Sequence, residues 1–65
     1  MKRPLDSREA ILAAAVAEFA LHGFRGATVD AIARRARLNK AMIYYHFDDK
    51  LALYLEILRD VFTAV

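Results

Sequence analysis

Apolar residues recur at helical spacing through most of this chain, and polar residues with short side chains punctuate the pattern. Ile11, Leu12, Ala15, Val16 and Phe19 follow one another at intervals that form one stripe of an amphipathic helix. Asp6 or Ser7 can cap its start, with Glu9 three residues after Asp6 to answer the cap. Gly23 follows His22 and suits a left-handed C-terminal cap, with Phe24 folding back as its apolar contact. The pattern therefore predicts a first helix from about Ser7 to His22. Thr28 is the next cap, and Val29, Ile32, Ala33 and Ala36 form the stripe of a short second helix. Arg34 and Arg35 fall outside that stripe and face solvent or a partner.

Arg37-Leu38-Asn39 makes a tight break, and Asn39 caps a third helix. On it Ile43 and Phe47 share an inward stripe with Leu38 just ahead, while Lys40, Ala41, Tyr44 and Tyr45 occupy a contiguous outward arc. Asp49 caps a fourth helix, with Lys50 in its first turn. Leu51, Tyr54 or Leu55, Leu58, Phe62 and Val65 make one stripe of that helix, and Leu53, Ile57 and Val61 add a second face. A helix apolar on two sides has to be covered on two sides, which three short helices do not supply. No strand pattern, repeat or low-complexity segment interrupts the series.

Sixty-five residues make one small domain with a thin core, yet 58% of them are hydrophobic. The excess points to a surface meant for another domain or subunit. Net charge is only +2. The sum hides an asymmetry, because Arg25, Arg34, Arg35, Arg37, Lys40 and Lys50 are opposed only by Asp30, Asp48 and Asp49 over the same stretch. Such an excess favours a polyanion, although an ordinary solvated surface carries one too. The absence of cysteine excludes disulfides and thiolate metal sites and fits a reducing compartment. Met1-Lys2-Arg3 ahead of an apolar run faintly resembles an export signal, but Asp6, Arg8 and Glu9 interrupt the approach and Glu18 closes the run. The longest uncharged run is far short of the ~20 residues of a membrane span.

The second and third helices with their three-residue break have the lengths and caps of a helix-turn-helix, whose second helix enters the major groove of DNA led by its N-terminal end. Many three-helix bundles share these lengths, so the pattern leaves a helical protein-interaction module without DNA readout as the alternative. A catalytic or metal centre has little support. Ser7 is the only serine, no glycine-rich phosphate loop occurs, and His46, Asp48 and Asp49 have no recognised ligand spacing.

A more specific signal is the ordered set Phe19, Gly23-Phe24, Ala27-Thr28-Val29, Ile32-Ala33, Ala36, Leu38, Lys40, Ile43-Tyr44-Tyr45-His46-Phe47 and Lys50. In order and spacing it resembles the N-terminal domain of the TetR (tetracycline-repressor-like) family, over about residues 8 to 58. The resemblance implies an all-α fold, a three-helix, homeodomain-like helix-turn-helix unit plus the start of a fourth, connecting helix. Residues 1–6 are then a basic N-terminal arm, 7–47 the DNA-binding unit, and 48–65 the start of a connection to a C-terminal effector and dimerisation domain that the chain lacks. It implies a cytoplasmic bacterial regulator, nucleoid-associated when bound. Such a protein is usually a ligand-responsive repressor rather than an enzyme, with neither cofactor nor metal.

Two copies would set their third helices in successive major grooves, about 34–36 Å apart on a pseudo-palindromic operator. A small-molecule effector in the absent domain would change that spacing.

Candidate roles follow from the resemblance and from side-chain chemistry. Lys40, Ala41, Met42 and Tyr44 are the candidate base contacts. A cation at the head of the helix can reach guanine O6 and N7, and the Tyr44 ring can lie on sugar or a thymine methyl. Thr28, Tyr45, His46 and Lys50 are the candidate phosphate contacts: hydroxyl, imidazole and ammonium donors, with the Thr28 cap placing helix N–H groups beside the anion. His46 can equally be a satisfied histidine packed at the helix end, and Arg25, Arg34 and Arg35 can be plain solvated cations.

Two positions depart from the family pattern. Arg37 stands where glycine is usual in the turn, at a penalty of about 1 kcal/mol if the residue is left-handed. Ala41-Met42 replaces small or hydroxyl residues, and Met42 has no donor for phosphate or base. It either packs against a thymine methyl or lies buried.

Duplex binding is expected to be steeply salt-dependent, with each neutralised phosphate contributing about −0.9 to the slope of log K against log salt. A slope near zero in a salt titration would rule out phosphate-led binding.

Overall fold

Every helix opens on a side chain that accepts a hydrogen bond from the backbone three residues on. Asp6 Oδ1 accepts from Glu9 N–H (2.9 Å), Thr28 Oγ1 from Ala31 N–H (3.0 Å), Asn39 Oδ1 from Met42 N–H (3.0 Å) and Asp49 Oδ1 from Ala52 N–H (2.8 Å). Each satisfies one of the donors that a helix start leaves without an intrahelical acceptor. The computed structural model describes residues 6–63, with side chains as far as Val61. Over these residues it contains α1 (Ser7–Gly26), α2 (Val29–Ala36), α3 (Lys40–His46) and α4 (Lys50–Thr63), and no strand. The expected basic arm before Asp6 and the apolar position Val65 lie outside the described residues, and Phe62 is described by its backbone alone.

The predicted end of the first helix at His22 marks a kink rather than a stop. Gly23 has φ 73° and ψ 174°, an extended conformation at positive φ that glycine alone enters readily, and not the left-handed cap expected. The chain makes one further turn through Phe24–Gly26, closed by Ala27 N–H donating to Gly23 O (3.1 Å). Phe24 does fold back. Its ring stacks on Phe19 at 6.0 Å, and both rings meet Tyr54 of α4 at 5.0–5.1 Å.

Arg37, the non-glycine residue in the turn, is left-handed at φ 62° and ψ 40°. Arg37 N–H reaches Arg34 O (3.1 Å) and Leu38 N–H reaches Ala33 O (2.9 Å), the paired bonds of a Schellman cap, with Leu38 packed on the core as its apolar partner. The turn keeps its left-handed form despite the arginine.

Ile11, Ile32, Ile43 and Leu53, one from each helix, are the largest fully buried side chains. Ala14, Ala15, Ala33 and Phe47 complete the cluster, with Leu12, Phe19, Val29, Ala36, Leu38 and Ile57 packed against it. On α1 the inward face is rotated from the predicted stripe. Ala14 and Glu18 are buried and Val16 is half exposed, because α2 and α4 both pack on that side. On α4 the inward residues are Leu53, Tyr54 and Ile57, whereas Leu51 and Leu55 face outward; Val61, on the side of Ile57, is also exposed. Its apolar surface is thus two-sided, as the pattern predicts. No described helix is long and apolar enough to cross a membrane.

Arg37→Gly should stabilise the fold by up to about 1 kcal/mol, since glycine removes the left-handed penalty of a side chain. Urea unfolding should show a higher midpoint with an unchanged m value.

Candidate nucleic-acid interface

The seven residues of α3 are too few to persist as an isolated helix, so tertiary anchoring decides which face it shows. Ile43 and Phe47 are buried, and this turns Lys40, Ala41, Met42, Tyr44 and Tyr45 to solvent. Tyr45 is 80% exposed and Tyr44 49%, so both rings are open to a partner. Met42 lies at the margin of exposure and is not buried in the core, so the burial considered for it does not occur. Ala41 leaves room beside it for a groove wall.

A shallow groove runs from the start of α2 to the start of α3. Arg25, Thr28, Asp30, Lys40, Tyr44 and Lys50 line it. Candidate base contacts Lys40 and Tyr44 and candidate phosphate contacts Thr28 and Lys50 therefore converge on one surface, which Tyr45 and His46 do not line. The α2 N-terminus at Thr28 adds backbone N–H groups and the positive end of a helix dipole. Arg25 supplies a further cation there.

Several candidates already have internal partners. Lys40 Nζ lies 3.0 Å from Asp30 Oδ1. The hydrogen bond to Asp30, and then the Asp30 charge, raise the Lys40 pKa above its ordinary 10.5. The ammonium is therefore fully charged at neutral pH. Any stability from the pair is complete below the unfolded value and is lost only as pH rises through the raised folded one.

Lys50 Nζ donates to Phe24 O (2.6 Å) and Ala27 O (3.1 Å) and lies 4.4 Å from the centre of the Phe24 ring. Two of its three protons are thereby engaged. His46 Nε2 is 2.7 Å from Ser7 Oγ, across 39 residues of chain. When Nε2 accepts the Ser7 proton, Nδ1 carries the ring hydrogen and is the nitrogen left to donate.

The arginines separate in the same way. Arg35, expected to face solvent or a partner, donates through Nε to Glu18 Oε2 at 2.7 Å. Glu18 is only 6% exposed and also has His22 at 3.6 Å. The sequence held a signal for this: Glu18 is seven residues from Ile11 and so shares its face. Arg8, given no role by the sequence, bridges to Glu56 of α4 at 2.6 Å and lies 5.6 Å from the Phe47 ring centre. The Asp30 contact to Lys40 and the Ser7 contact to His46 were likewise missed, because both join residues of different helices.

A bracing α2, a capped left-handed turn and a short α3 with a polar outward arc define a helix-turn-helix DNA-binding domain. The chain belongs to the tetR family of bacterial regulatory proteins, whose sequence model matches residues 11–57. It is 46% identical over 55 residues to the HTH-type transcriptional repressor SCO4008 of Streptomyces coelicolor, covering 85% of this chain and 29% of that repressor. It is 36% identical over 58 residues to the HTH-type transcriptional repressor NicS of Pseudomonas putida, covering 89% of this chain and 27% of NicS.

Among solved structures, a transcriptional regulator of Streptomyces coelicolor, SCO4942, superposes with a TM-score of 0.86 at 46% identity, over 91% of this chain and 33% of its own. HlyIIR, a hemolysin II transcriptional regulator, gives 0.78 at 38% identity over 82% of this chain and 30% of its own. The chain spans less than a third of the length of the repressors SCO4008 and NicS. Among the described residues no group of His, Cys, Asp or Glu side chains is placed to hold a metal ion.

Replacing Asp30 with Asn should free Lys40 from its ion pair and remove a negative charge that repels DNA from the groove. Affinity for random-sequence duplex should rise, and the salt slope should steepen by up to about 0.9. Fluorescence anisotropy over a salt series reads both, and an unchanged slope would show that Asp30 does not restrain Lys40.

Proposed function

We propose that the protein binds duplex DNA sequence-specifically as part of a transcriptional regulator, and that it acts as a repressor. One observation carries this reading: buried Ile43 and Phe47 hold α3 so that Lys40, Ala41, Met42, Tyr44 and Tyr45 all face outward beside the N-terminus of α2. Lys40 and Tyr44 read base edges, with Met42 and Ala41 against thymine methyls or the groove wall. Thr28, through its hydroxyl and the first N–H groups of α2, and Tyr45, through its phenol, hold phosphates and set the register. With Nε2 accepting from Ser7, His46 offers Nδ1–H to the same backbone. The family relationship and the repressor relatives support the reading.

The finer features belong to the same proposal. The functional unit is a homodimer joined by a further helical domain, on a pseudo-palindromic operator, with release driven by a small effector bound in that domain. Its place is the cytoplasm, on the nucleoid when bound, and its role is regulatory rather than enzymatic. The exposed Leu51, Leu55 and Val61 of α4 suit burial against such a domain.

Selection of binding sites from random duplex DNA tests the proposal, and recovery of no enriched sequence would sink it. On the selected site, Tyr44→Ala should cost about 1–3 kcal/mol and relax preference at one or two base pairs. A loss spread evenly over all sequences would move Tyr44 from base readout to backbone contact.

A further inference from the structure

Asp6 caps α1, which leaves the hydroxyl of Ser7, the other residue suited to that role, without a part in the cap. It pairs instead across 39 residues of chain, where Ser7 Oγ lies 2.7 Å from His46 Nε2 in a part-buried contact. His46 is the last residue of α3. Beside it, the Arg8 guanidinium lies 5.6 Å from the Phe47 ring centre and reaches Glu56 of α4 at 2.6 Å. The first turn of α1 therefore grips the C-terminal end of a helix too short to hold that end by itself.

The Ser7 contact also chooses between the two forms of a neutral imidazole. A ring nitrogen is a stronger base than an alcohol oxygen, so the hydroxyl donates, Nε2 accepts and the ring hydrogen sits on Nδ1. The two nitrogens diverge across the ring, which directs Nδ1–H away from Ser7. Among the described residues nothing pairs with His46 Nδ1, and none has a buried side-chain nitrogen or oxygen without a partner. Nδ1 is therefore open to solvent. Tyr45, 80% exposed, stands next to it with the rings 5.0 Å apart and edge to face. In the other form of the ring Nδ1 carries a lone pair, which a phosphate oxygen repels. No other described contact of His46 distinguishes the two forms, since its remaining neighbours are the rings of Tyr45 and Phe47.

We propose that Ser7 is a positioning residue of the DNA interface: by donating to Nε2 it holds the His46 ring in the Nδ1–H form, so that a donor rather than a lone pair meets the phosphate. Ser7 acts through His46 and does not itself touch DNA. This rests on the DNA-binding reading above.

Nitrogen-15 spectra of the imidazole rings test it in the wild-type protein, free and with a duplex that the protein selects from random sequence. The free protein should hold His46 in the Nδ1–H form. Added duplex should shift the Nδ1 resonance and leave the ring in that form. An Nε2–H ring in the free protein, or an Nδ1 resonance that duplex does not move, would overturn the proposal.

Ser7→Ala removes the hydroxyl alone. The His46 ring should then populate both forms, and affinity for the duplex should fall about two- to ten-fold, the scale of one neutral hydrogen bond. Ser7→Thr should restore both the single form and the affinity. In a His46→Ala background, Ser7→Ala should cost nothing further. An equal loss in that background contradicts the proposal, because Ser7 then acts without His46. If Ser7→Ala does not fold, the wild-type spectra still decide. If the wild-type protein selects no duplex at all, the DNA-binding reading fails and takes the positioning role with it, whereas an Nε2–H ring in the free protein overturns that role alone.

Discussion

Four branched side chains, Ile11, Ile32, Ile43 and Leu53, meet with no exposed surface at the centre of the domain, one from each helix. Burial of each is worth about 1.5–3 kcal/mol. The constraint is sharpest for α3, whose seven residues do not hold a helix alone. Ile43 and Phe47 commit one side of α3 to the core, and the other side is left free to carry lysine, methionine and tyrosines. Alanines at positions 14, 15 and 33 make this possible, since larger side chains there would hold the helices apart.

Around that centre the polar ties set two arginines apart from the basic residues of the groove. Arg8 and Arg35 are committed to Glu56 and Glu18, bridging α1 to α4 and α2 to α1. The Arg8 pair is partly exposed and contributes little by itself. Glu18 differs: a buried carboxylate is costly unless paired, so Arg35 is required by the interior rather than offered to a partner. Ser7 and Arg8, in the first turn of α1, also touch His46 and Phe47 at the end of α3, which secures that end of the recognition helix. Arg25, Lys40 and Lys50 remain on the groove, and Asp30 sits among them as the opposing charge. The positive character of the interface is therefore narrower than a count of cations along the chain suggests, and it is concentrated where α2 begins.

The left-handed residue at Arg37 shows how a local rule can be overridden. Two backbone bonds and the burial of Leu38 hold the cap closed, and together they outweigh a penalty of about 1 kcal/mol. Gly23 shows the opposite case. Positive φ was readable from the glycine, but its extended ψ follows from the Phe24 ring being drawn onto Phe19 and Tyr54.

What the sequence determined by itself was local. The caps at Asp6, Thr28, Asn39 and Asp49, the break at Arg37, the inward pair Ile43 and Phe47 and the outward arc of α3 all depend on residues within a turn or two of one another. Spacing and side-chain chemistry suffice for such features. Tertiary structure alone decided the rotation of the α1 face onto Ala14 and Glu18, which of the two apolar faces of α4 turns inward, and where the charges go. Arg35, Lys40 and Lys50 each find an acceptor on a different element of the chain, and His46 pairs with Ser7 at the far end of it. Those pairings depend on how the helices are stacked, and the stacking is set by the meeting of four separate apolar faces, none of which contains the position of the others.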